Sequence, residues 1–109
     1  MTLRDLEYLV TLAETRHFGR AAARCHVSQP TLSAQLRKLE EFLGVTLIER
    51  RPRRVALTPA GEAVVERALR MLRDADDIRA LARGSQRDAP RPALDQHNAE
   101  EFLELPELG

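Results

Sequence analysis

Gln29, Thr31, Ser33, Gln35 and Lys38 bring hydrogen-bonding side chains close together, and Leu32, Leu36, Leu39 and Leu43 interleave with them at steps of four, three and four. That leucine spacing marks one face of an α-helix and leaves the polar set on the other. Glutamine can bond an adenine edge through two atoms. The Pro30 ring and the Thr31 methyl can touch a thymine methyl. Ser28, which precedes the helix, can cap it and lie near a phosphate at the helix N-terminus. Arg20, Arg37 and Lys38 are phosphate candidates, as are Arg50, Arg53 and Arg54 further along the chain. An apolar back with a hydrogen-bonding front suits a helix that lies in the major groove of double-stranded DNA.

Other chemistry finds little support. Cys25 and His26 are adjacent in sequence, so on a helix they do not face each other as a nucleophile and its base would. Cys25 is expected to be a core thiol. His17, His26 and His97 lack metal-ligand spacing and have no cysteine partners. No glycine-rich phosphate loop is present. The acid pairs Glu40-Glu41 and Asp76-Asp77 read as solvated helix faces. A non-enzymatic chain without metal or cofactor is expected.

The formal net charge is zero, but it is unevenly spread. Residues 1–87 carry 16 Lys/Arg against 11 Asp/Glu, whereas residues 88–109 carry one Arg against six Asp/Glu. Between Arg16 and Arg54, nine basic residues stand against three acidic ones. Such a concentration attracts polyanions. The aromatic residues are only Tyr8, Phe18, Phe42 and Phe102, too few for stacking on unpaired bases. A single cysteine excludes an internal disulfide, and no apolar run approaches a membrane span. The N-terminus Met1-Thr2-Leu3-Arg4-Asp5 has no signal-peptide pattern. A cytoplasmic protein is expected.

Several elements must position these residues. Thr2 and Asp5 form a capping-box pair for a first helix with a stripe of Leu3, Leu6, Leu9, Val10 and Ala13. A short second helix, ending near Cys25, turns Phe18, Ala21, Ala22 and Cys25 inward. Ser28 caps the third helix, and Gly44 ends it. Val45–Arg50 and Val55–Leu57 are β-prone, with Arg51-Pro52-Arg53-Arg54 as a basic turn between them. Thr58-Pro59 opens a long helix that should run to about Arg83 and stop at Gly84-Ser85. On it, Val64, Ala68, Met71, Ala75, Ile78 and Ala82 make a heptad-like seam widened by Val65, Leu69, Leu72 and Leu81, as in helix–helix dimerisation. From Ser85 the composition shifts, with Pro90 and Pro92 excluding a continuous helix. A mainly α fold follows: a winged helix-turn-helix over 1–58, a linker and dimerisation helix over 59–83, and a flexible acidic tail over 84–109.

The order of Val27-Ser28-Gln29-Pro30-Thr31-Leu32-Ser33, Leu39-Glu40, Leu43-Gly44-Val45, Leu47-Ile48-Glu49-Arg50 and Leu57-Thr58-Pro59-Ala60-Gly61 resembles the DNA-binding domain of LysR-type transcriptional regulators. Arg4–Leu9, Arg16-His17-Phe18 and Cys25–Ser33 are similar to its peroxide-responsive, OxyR-like branch. The resemblance implies a homodimer paired through the linker helix, followed in the family by a long effector domain. The 26 residues after Arg83 are too few for that domain. The chain is therefore read without a small-molecule effector site, as a truncated product, a frameshifted remnant or an excised domain. A second reading makes it an interaction module that pairs with a full-length regulator through the same helix and modulates it.

Overall fold

The computed structural model describes residues 1–87, so the acidic stretch from residue 88 onward, with its expected flexibility, lies outside the described residues. The element order is α1 (Leu3–Thr15), α2 (Phe18–Arg24), α3 (Gln29–Leu43), β1 (Ile48–Arg51), β2 (Arg54–Leu57) and α4 (Pro59–Arg87).

Each helix begins on a side chain able to accept from an unpaired backbone N–H. Thr2 Oγ1 accepts from the Asp5 N–H at 3.2 Å, and the Asp5 carboxylate accepts from the Thr2 N–H at 2.9 Å, completing the capping box. His17 Nδ1 accepts from the Arg20 N–H at 3.0 Å and starts α2. Ser28 Oγ accepts from the Thr31 N–H at 3.2 Å and starts α3, with Pro30 harmless in the first turn. Thr58 Oγ1 accepts from the Gly61 N–H at 2.9 Å and donates to the Thr46 carbonyl at 2.6 Å. Gly44 closes α3 at φ 73°. Between α2 and α3 the backbone reverses through His26 at φ 59°, a left-handed conformation uncommon for a residue with a side chain.

The core lies where α1, α2 and α3 meet, with the hairpin against them. Leu9, Leu12, Leu32, Leu36, Leu47 and Ile48 are its largest fully buried side chains. Buried Ala21 and Ala22 join them in that core from α2, where their small side chains allow close helix packing. The α1 stripe is wider than the sequence pattern indicated. Leu3 is exposed and Ala13 half-buried, while Tyr8 and Leu12 are buried. The reason is that α1 packs on two sides. Tyr8, Leu9 and Leu12 enter the main core, whereas Leu6 and Val10 form a second cluster with Ala68 of α4, flanked by Val65 and Leu72.

The hairpin pairs Ile48 with Leu57, Glu49 with Ala56, Arg50 with Val55 and Arg51 with Arg54. The turn is therefore shorter than expected, since Arg51 and Arg54 belong to the strands. Pro52 and Arg53 alone make it, with proline restricting one φ and Arg53 taking φ 62°.

The chain divides into two units, Met1–Asp76 and Asp77–Gly109. The first contains both apolar clusters; the described part of the second is the last turns of α4. That helix does not stop at Gly84-Ser85 but continues to Arg87. One helical glycine costs only about 1 kcal/mol relative to alanine, too little to end a long helix by itself. No helix among the described residues is long and apolar enough to cross a membrane.

Candidate nucleic-acid interface

The leucines of α3 are held by the core, and this fixes what the helix shows outward. Leu32, Leu36 and Leu39 are buried, and Leu43 is half-buried. Pro30, Thr31, Ala34, Arg37, Lys38 and Glu41 are exposed on the outward side, together with Gln29 at the N-terminal end. Ser33 and Gln35, two of the predicted contacts, sit half-buried on the flanks. Ser28 has a structural duty as the cap, and its hydroxyl also donates to Thr31 Oγ1 at 2.8 Å. Ala34 was not singled out from the sequence, because a search for polar groups passes over a small apolar side chain. Its exposure between Pro30 and Lys38 lets another surface come close to the helix.

The wing stands beside the N-terminal end of this helix. A groove of about 640 Å³ is lined by Arg16, His17, Phe18 and Gly19, by Gln29, and by the wing from Arg50 to Val55. A Cβ built on Gly19 would stand 3.6 Å from Gln29 Oε1, so the glutamine lies along the first turn of α2. Arg20, Arg37, Lys38, Arg53 and Arg54 are exposed, and none forms an ion pair with another described residue. Arg16 and Arg51 add to the positive lining of the groove, although Arg51 also pairs with Glu49 at 3.0 Å.

Arg50 differs from the other predicted cations. Its guanidinium lies 3.4 Å from the Glu40 carboxylate and over the Phe18 ring, 5.8 Å from the centroid. Glu40 is not a solvated face residue, as its sequence neighbours suggested. Its side chain is only 12% exposed, and its carboxylate accepts from the Leu47 and Ile48 N–H groups at 2.8 and 3.2 Å. No local spacing announces these bonds, because they join residues across a helix end. Arg4 was also missed as a strut. It donates to the Cys25 carbonyl at 2.6 Å, pairs with Glu7 at 3.1 Å and lies over the Tyr8 ring. Contact with Tyr8, then with Glu7, holds its guanidinium further toward the charged form. Cys25 is buried, as expected of a core thiol.

The seam residues of α4 divide into two sets. Ala68 is buried against α1, and Val64, Leu72 and Ala75 are half-buried. Met71, Ile78 and Ala82 are exposed, as are Leu69 and Leu81 nearby. Among the described residues no group of His, Cys, Asp and Glu is arranged to hold a metal ion.

Comparison with known proteins agrees with this geometry. The hydrogen peroxide-inducible genes activator of Pectobacterium carotovorum subsp. carotovorum is 58% identical over 82 residues, which is 75% of this chain and 27% of that protein. The chain thus spans about a quarter of that relative's length. A full-length OxyR variant from Pseudomonas aeruginosa superposes with a TM-score of 0.74 at 56% identity, covering 77% of this chain and 28% of that one. The DNA-binding domain of BenM, solved in a complex with catB site 1 DNA, superposes with a TM-score of 0.79 at 34% identity, covering 83% of this chain and all of that one. Residues 3–62 match the bacterial regulatory helix-turn-helix proteins of the lysR family, and the chain belongs to that family.

Proposed function

We propose that this chain binds double-stranded DNA sequence-specifically, as the DNA-reading part of a LysR-type transcriptional regulator. The single observation that carries the proposal is the joint placement of Gln29, at the start of the outward face of α3, and the wing residues Arg53 and Arg54 around one groove. The α3 N-terminus enters the major groove with Gln29, Pro30, Thr31 and Ala34 toward base edges. Ser33 and Gln35 contribute from the flanks. Arg20, Arg37 and Lys38 meet phosphates, and Arg53 and Arg54 on the wing meet the backbone or the adjacent minor groove. The cations set affinity and salt dependence, and the α3 face sets sequence preference. The BenM domain captured on DNA supports this reading by likeness of fold and sequence.

Two copies pair through α4, and the exposed Met71, Ile78, Leu81 and Ala82 supply the contact. Chemistry on a substrate is not assigned to any residue. The site of action is bacterial DNA, and hence the cytoplasm and nucleoid. The same exposed face of α4 favours a second reading, in which the chain pairs with a longer relative and modulates it. Selection of bound fragments from genomic DNA tests the first reading directly. Enrichment of one half-site at a fixed spacing is expected, with the spacing reporting the oligomer. Recovery of no common sequence overturns it.

A further inference from the structure

One carboxylate ties three elements of the interface together. Glu40 projects from the C-terminal half of α3. One of its oxygens, Oε2, accepts from the Leu47 and Ile48 N–H groups where β1 begins, at 2.8 and 3.2 Å. The other, Oε1, faces the Arg50 guanidinium at 3.4 Å. That guanidinium lies over the ring of Phe18, the first residue of α2. The wing is therefore anchored at its base to both helices of the helix-turn-helix, while its tip, Pro52 and Arg53, projects beyond the last strand pair.

We infer that Glu40 is a positioning residue for specificity, which acts through Arg50 to hold the wing cations at a fixed offset from Gln29. This assignment rests on the DNA-binding reading given above. Arg53 and Arg54 have no ion-pair partner within the described residues, so the anchored strands beneath them set where their charges fall. A wing freed from its anchor still attracts phosphate. It no longer meets the backbone in the register that α3 needs to read base edges.

The competing role for Arg50 is a direct phosphate contact, and the two roles predict opposite signs. Glu40→Gln removes a negative charge beside a polyanion and keeps an oxygen that can accept from the β1 N–H groups. If Arg50 bound phosphate, the change would free it and tighten binding to all DNA. If Glu40 positions the wing, binding to the preferred sequence weakens despite the more favourable charge.

The test uses the full chain and two probes: a duplex recovered by the wild-type chain from a random-sequence pool, and poly(dI-dC). For Glu40→Gln, a loss of about tenfold is expected on the selected duplex and less than about twofold on poly(dI-dC), because base readout fails while phosphate attraction persists. Arg50→Met leaves Glu40 on the β1 backbone and guards against a Gln variant that does not fold. It is expected to lose selectivity with an unchanged salt slope on poly(dI-dC). Tighter or equal binding by Glu40→Gln, or a slope shallower by about one for Arg50→Met, overturns the assignment. Failure of the wild-type chain to enrich any duplex overturns instead the DNA reading on which it rests.

Discussion

At the scale of single residues, the proposed DNA contact divides groups expected to read bases from groups expected only to attract phosphate. Gln29 sits exposed at the start of α3 and beside α2, where it can meet a base edge. Gln29→Ala is expected to cost roughly 1–3 kcal/mol on the preferred sequence and little on random DNA. Arg53, at the wing tip, should behave otherwise. Arg53→Ala is expected to weaken binding to any sequence and make the salt slope shallower by about one. Salt titrations on both probes check the pair, and matching profiles for the two variants would refute the division of labour. The polar character of α3 was legible from the sequence because leucine spacing leaves little choice of face. The anchoring of Arg50 was not, since it depends on a carboxylate brought from another element and on an aromatic ring from a third.

At the scale of elements, the start of α4 carries a strict requirement. A Cβ at Gly61 would collide with the Leu47 carbonyl just before β1, and backbone cannot step aside as a flexible side chain can. At Gly84 a Cβ would meet nothing within 4 Å. The same substitution should therefore act in opposite directions. Gly61→Ala is expected to destabilise by about 1–3 kcal/mol, near the upper end. Gly84→Ala should favour α4 by about 0.5–1 kcal/mol through helix propensity. Thermal unfolding followed by circular dichroism measures both, and an unchanged midpoint for Gly61→Ala would show that the close approach is relaxed in solution. Caps and stop signals at Thr2, Ser28, Gly44 and Thr58 could be recognised in the sequence because they act within one turn. The end of α4 was misjudged because glycine weakens a helix without terminating it, and the hairpin turn was overestimated because arginine is neutral as to strand or turn.

At the scale of the whole molecule, α4 serves its own domain with one part of its apolar surface and leaves another part uncovered. Ala68 is taken by Leu6 and Val10, whereas Met71 and Ile78 are 45% and 66% exposed. Met71→Glu is expected to leave the fold intact and shift sedimentation toward the monomer. It should also lower affinity for paired half-sites more than for a single one. A sedimentation profile identical to that of the wild-type chain would remove Met71 from the subunit contact. The heptad-like spacing placed these residues on one stripe of the helix. It could not show which seam residues were already used within the chain, because the α1 contact depends on a helix crossing rather than on a repeat.

Cys25 is the one sulfhydryl in the chain, and it is sealed beneath the reversal that joins α2 to α3. A thiol-alkylating reagent added to native protein can reach it only when that corner parts, so the labelling rate, read by mass, is a clock for breathing of the DNA-reading fold. Bound duplex should slow the clock in proportion to occupancy. A rate indifferent to saturating duplex would mean that the corner opens without disturbing the complex.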